Sequence, residues 1–245
     1  MNFQSSVLAG LTAACVFFGS GAAFCEAPLK VVVVTGGHGF EEKPFKEMFD
    51  SFASLDCTFV ALQDESELFE DISNWPYQAI VLYNMSRAIS EKRRQNFLAL
   101  LDRGVGLVVL HHAIAAFPDW REYRKIIGTK YWLEETEEDG VKHPKSQWEE
   151  GVDMNMHVED PAHPVTQGVQ DFTIHDETYK GYDLEAGNHV LLTCDAPGSQ
   201  REVAWARHYR NAKVCFIQPG HGANAYASPD FRKVLTQAIR WTAVK

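Results

Sequence analysis

Four runs of unbroken apolar residues punctuate the chain: KVVVVT at 30–35, AIVLY at 79–83, VGLVVLH at 105–111 and KVCFI at 213–217. A strand that alternates apolar and polar residues buries one face, whereas an unbroken run buries both, as in a parallel sheet covered by helices. A weaker strand, CTFVALQ, is predicted at 57–63. Between the strands the hydrophobic period lengthens. After Ser90, the residues Phe97, Leu98 and Leu101 share one helical face that stops near Gly104, a suitable C-cap. After Ser228 and Pro229, a cap and a first helical residue, Phe231, Val234, Leu235, Ala238 and Ile239 form one apolar stripe. Strands alternating with helices predict an α/β domain of three layers, a mostly parallel sheet with helices on both faces.

No internal repeat or Pro/Gly-rich linker divides residues 26–245, which reads as one domain. Residues 129–150 break the pattern with EETEED at 134–139, Gly140, Pro144 and Glu149–Glu150, and are predicted to be a solvated acidic insertion loop. The first 25 residues hold no charged side chain. Val7 to Phe18 is apolar, and the small residues GSGAA follow at 19–23. This predicts a signal peptide over 1–25, cleaved near Ala23, since a spanning helix needs about 20 apolar residues. The mature protein is then exported, periplasmic or extracellular, without stable membrane insertion. Cys57, Cys194 and Cys215 remain after cleavage and allow one disulfide at most, so the fold is not a disulfide scaffold.

Charge changes the picture little. The 23 basic and 33 acidic side chains give a net charge of −10, with no basic run, which argues against a nucleic-acid partner. The ten histidines matter more. In open α/β sheets, ligands bind beyond the carboxyl ends of the parallel strands. The first strand delivers His38 in VVVVTGGHGF, the next apolar run Asn84, the third His111 and His112, and the late strand His221 in VCFIQPGHG. A further polar group, HDETY, carries His175, Asp176, Glu177 and Tyr179. Two chemistries fit. In one, His111 and His221 act as general base and acid, with Asp176 or Glu177 as a carboxylate partner. In the other, His38, His111 and His221 hold a divalent transition metal, zinc foremost, because three-imidazole sites with an open position are common in catalytic zinc proteins. His143, His163, His189 and His208 are read as structural. Phosphate-loop, GxGxxG, HExxH, GxSxG and CxxC patterns are all missing, so no nucleotide cofactor is predicted.

The segments GGHGF, GVGLVVLHHA (104–113), WREYRKIIG (120–128), VEDPAHPVTQGV (158–169), DETY (176–179) and KVCFIQPGHGANAY (213–226) occur in the order and spacing of one family. Over residues 30 to 243 the chain resembles the ThuA-like, trehalose-utilisation family. The resemblance implies the flavodoxin-like architecture of class I glutamine amidotransferases. Their catalytic cysteine falls at His111 here, and an imidazole cannot form the thioester, which excludes a glutaminase. Two departures stand out: His112 where the family has a small residue, and DETY for DELY. The resemblance implies action on trehalose-like or 3-keto glycosides, with Asn84, His112, Trp120, Tyr179, Tyr182 and Tyr226 as candidates to bond hydroxyls or stack on sugar rings. The alternative is a non-catalytic carbohydrate-binding or interaction domain, and a homo-oligomer is compatible with either. Imidazoles of His38, His111 and His221 converging within ligand distance favour chemistry; imidazoles pointing apart favour binding alone.

Overall fold

The computed structural model describes residues 27–63 and 66–244; the expected signal segment lies outside them. The chain opens with β1 (Leu29–Thr35), α1 (Glu42–Asp50), β2 (Leu55–Ala61), β3 (Ala79–Leu82), α2 (Glu91–Asp102), β4 (Gly106–Leu110) and α3 (Arg121–Ile127). Short strands β5 (Thr129–Lys130), β6 (Thr136–Glu138) and β7 (Val141–His143) precede the long β8 (Gln147–Val158) and β9 (Phe172–Lys180). The chain ends with β10 (Asp183–Leu184), β11 (His189–Cys194), β12 (Glu202–Tyr209), β13 (Ala212–Ile217), α4 (Ala223–Ala227) and α5 (Pro229–Ala243).

Nine strands form one sheet in the order β2-β1-β3-β4-β13-β12-β11-β8-β9. The first five in that order pair in parallel. From β13 onward every neighbour is antiparallel. The sheet is therefore mixed: the half built from the apolar runs is parallel as expected, and the half beyond β13 is antiparallel. In the antiparallel half β8 and the start of β9 alternate exposed and buried positions, whereas β11 and β12 each bury a short run, Leu191–Cys194 and Val203–Ala206. Residues alternate faces along the parallel strands. Val31, Val33, Val81 and Val108 pack with Phe45 and Phe49 of α1 and Leu235 and Ile239 of α5. Val32, Val34, Ile80 and Leu107 pack with Phe97 and Leu101 of α2 and Ile126 of α3. Each face of the parallel half is thus sealed by helices, which leaves its carboxyl edge as the place for a site.

Both predicted helices form. In α5, the Ser228 hydroxyl accepts from the Phe231 N–H at 3.4 Å, with Pro229 at the first helical position. Residues 129–150 are not a loop, although most of 134–150 is exposed to solvent as expected. β5 pairs with β10, β6 and β7 form a hairpin, and β8 begins at Gln147. Asp139 and Gly140 turn the hairpin with φ of 52° and 79°, the conformation a two-residue Asp-Gly connection adopts. Part of the acidic charge is also paired: Glu138 accepts from Arg124 at 2.8 Å and meets Arg121 at 3.1 Å. Among the described residues no helix is long and apolar enough to cross a membrane, and Cys57, Cys194 and Cys215 are free thiols.

A surface clasp holds the antiparallel half. His157 in β8 lies 3.0 Å from Asp171 and 2.8 Å from Asp195, and the hydrogen bonds from these carboxylates, Asp171 first, raise its pKa above the ordinary 6.5. A raised histidine contributes its stability below the unfolded value and loses it as pH rises through the folded one. Proton NMR of the His157 ring should show a midpoint above that of free histidine, moved down by Asp171→Asn. A midpoint at or below 6.5 in the parent protein contradicts the clasp.

Candidate functional site

The four strand ends converge as the topology requires, and β9 closes over them. His111 follows β4 directly and takes a left-handed backbone, φ 48°, at the start of a short 3₁₀ turn. That strained elbow turns the ring back toward β13, where Nδ1 lies 2.6 Å from the Gln218 carbonyl oxygen. A carbonyl only accepts, so Nδ1 carries the hydrogen, and Nε2 of the neutral ring is a lone pair. Nε2 faces the Tyr179 hydroxyl at 2.8 Å and Glu177 Oε1 at 3.3 Å. The carboxylate also accepts, and Tyr179 brings a single proton. Such a pair is satisfied only by a second proton on the ring or by a cation between them.

His112 is buried and has no partner at either ring nitrogen among the described residues. Its ring stacks on His38 with centroids 3.7 Å apart and meets His111 edge-on at 4.3 Å. Burial, and then the neighbouring imidazoles, push its pKa far below the ordinary value, so it stands neutral with a lone pair to offer. Glu177 feels opposing forces. Burial pushes its carboxyl up, but once His111 carries that second proton its hydrogen bond and charge, with Tyr179 and His221, outweigh burial and hold the carboxyl below the usual carboxylate range. His221, 29% exposed, places Nε2 3.9 Å from Glu177 Oε2. One ligand atom each from His111, His112, Glu177 and His221 lies within 4.8 Å of the others. Beside them opens a cavity of about 310 Å³ lined by His38, His112, Glu177, Tyr179 and His221 among others.

The structure redistributes the sequence candidates. His111 and His221 converge as expected, but the third imidazole of the group is His112 and not His38. The stacking on His112 leaves the exposed His38 at the cavity wall. Asp176 does not reach the cluster as a free carboxylate. It accepts the backbone N–H of Gly220 at 2.5 Å and of His221 at 3.1 Å, and burial raises its pKa despite the opposing charge of His111 and those bonds. Tyr226 is not a sugar platform: its buried hydroxyl donates to the His221 carbonyl at 2.6 Å and lies 2.8 Å from the Tyr83 hydroxyl. Trp120 is a core residue packed on Phe97 and Tyr123, because α3 carries it to the helix-covered face. Tyr182 is also buried, donating to the Glu202 carbonyl at 2.6 Å. Asn84 is buried with both amide atoms unpartnered among the described residues. Sequence reasoning missed the Gln218 carbonyl and Tyr83, which act through position alone, and Trp148, Lys145 and Tyr131, which bring the 129–150 segment to the cavity wall.

A family model described as "ThuA: Trehalose utilisation" matches residues 30–242. The chain belongs to the ThuA family. Solved structures agree at the level of fold. A putative ThuA-like protein from Parabacteroides merdae superposes with a TM-score of 0.75 at 22% identity, over 89% of this chain and 90% of that one. A second, from Bacteroides uniformis, gives 0.64 at 18% identity, over 91% and 95%. A β-galactosidase from Bacillus circulans sp. alkalophilus gives 0.56 at 9% identity, with 89% of this chain matching 31% of that one. No curated protein matches.

Asp176 anchors the turn that presents His221, so Asp176→Asn turns an amide toward two backbone donors. This should cost about 1–3 kcal/mol in urea unfolding. A loss below roughly 0.5 kcal/mol, the usual size of a surface substitution, would show that the turn stands without Asp176.

Proposed function

We propose that this ThuA-family protein is an exported enzyme that acts on trehalose-like or 3-keto glycosides at a metal-assisted site built from His111, His112, Glu177 and His221. The observation that carries the reading is the gathering of those four donor atoms within 4.8 Å. Three imidazoles and a carboxylate suit zinc or a neighbouring divalent transition ion. The residues fit such an ion in three ways. His112 is neutral with orphaned nitrogens. His111 donates Nδ1–H to a carbonyl, the outer contact that ligating histidines use to fix their tautomer. Glu177 places Oε1 3.3 Å from His111 Nε2 and Oε2 3.9 Å from His221 Nε2, an oxygen donor between two imidazoles. A divalent ion in this group supplies Lewis acidity toward a ketone oxygen.

The chain's own residues account for proton movement. His38 stands at the cavity wall outside the group of four. Its Nδ1 lies 2.5 Å from the Gly39 carbonyl oxygen, which makes Nδ1 the donor and leaves the Nε2 lone pair free. His38 takes the proton from the ring carbon beside the ketone. As that C–H bond breaks, a C=C bond forms and the glycosidic C–O bond breaks, its electron pair leaving on the aglycone oxygen, which takes a proton from water; the hydroxide so formed removes the proton that His38 gained. Tyr179 and Gln218 hold His111 in place, and Asp176 and Tyr226 hold His221. Export rests on the composition of residues 1–25, the trehalose-like substrate on the family description, and the 3-keto form on the fit of an imidazole base beside a Lewis-acid site. The converging imidazoles favour this reading over a binding-only domain.

Aglycone release from a 3-keto glycoside should fall by about 10²-fold or more in His38→Ala, the size of a lost general base. Glu177→Gln should be at least as damaging. Full turnover in both variants would remove the site assignment.

A further inference from the structure

Trp148 is the anomaly of the acidic segment. Its side chain is 59% exposed, although tryptophan is mostly buried in folded proteins. It lies in β8 directly opposite Tyr179 of β9, and cross-strand partners project from the same face of a sheet. Both rings accordingly line the cavity beside His112, Glu177 and His221. Two charged side chains of the same segment, Lys145 and Glu150, line it too, and neither has an ion-pair partner among the described residues. An exposed aromatic face edged by a free cation and a free carboxylate is ill suited to a purely apolar partner. It matches a sugar ring, which offers a patch of C–H bonds to the indole and a rim of hydroxyls to the charged groups.

We propose that Trp148 is the stacking platform of an aglycone subsite, so that the chain selects glycosides whose aglycone is itself a sugar ring. The inference rests on the keto-glycoside reading above and adds to it which half of the substrate the 129–150 segment recognises. The ketone-bearing ring lies toward His38 and the donor group; the second ring lies on Trp148, flanked by Lys145 and Glu150.

The test compares the parent protein, Trp148→Ala and Trp148→Phe on two 3-keto glycosides with the same ketone-bearing ring, one with a sugar aglycone and one with a methyl aglycone. In Trp148→Ala, KM for the disaccharide should rise about tenfold with kcat within about twofold, while the methyl glycoside is unaffected and phenylalanine restores most of the loss. An equal rise for both substrates, or none for the disaccharide, overturns the subsite. If the parent protein turns over neither substrate, the keto-glycoside reading fails on its own account. Titration of the keto-disaccharide against tryptophan fluorescence then decides the subsite separately. A saturable change lost in Trp148→Phe upholds it, and no change, or one retained in that variant, overturns it.

Discussion

The bond between His111 Nδ1 and the Gln218 carbonyl ties the ends of two neighbouring parallel strands, β4 and β13, and the chemistry of the site follows from it. It fixes the tautomer of a wholly buried imidazole, and so turns a lone pair toward Glu177. Without that constraint the ring could donate to the carboxylate and the pair would be self-satisfied. With it, two acceptors share the one proton of Tyr179 at the bottom of the crevice. The strained backbone of His111 is the local cost of aiming the ring this way, and the packed sheet beneath it holds the turn in place.

The rest of the molecule supports that arrangement. Helices on both faces of the parallel half leave its carboxyl edge open, and β9 supplies Glu177 and Tyr179 from the far end of the sheet. Asp176, Tyr83 and Tyr226 take hold of the backbone at Gly220 and His221, so the turn carrying His221 is gripped from β9, β3 and α4 together. Sites are made accurate by such supporting contacts more than by the reacting side chains themselves.

The parallel half was legible because strands buried on both faces leave unbroken apolar runs, and the helix ends because Ser228, Pro229 and Gly104 carry their conformations in their chemistry. The histidines could be placed at strand ends for the same reason. What could not be read was which imidazole turns inward. His111 and His112 are adjacent, and their roles are separated by a backbone angle and a carbonyl from another strand. The outer strands β8 and β9 were hidden by their largely polar, alternating sequence, β11 and β12 by the polar residues that flank their short buried runs, and the Asp139–Gly140 hairpin by the acidic residues around it. Trp120 and Tyr226 were plausible sugar platforms by composition, whereas Trp148 sat unremarked in a segment read as loop. For aromatic residues it is exposure, a tertiary property, that distinguishes a platform from a core.

The proposed function stands on a divalent ion that completes the His111–Glu177 pair and is shared with His112 and His221. Metal analysis of the purified parent protein and of His112→Ala, each after equilibration with zinc and removal of loosely bound ion, tests it most directly. One tightly held ion per chain is expected in the parent protein, and its loss in the variant. A parent protein that retains no metal, or a variant that retains it equally, would contradict the claim.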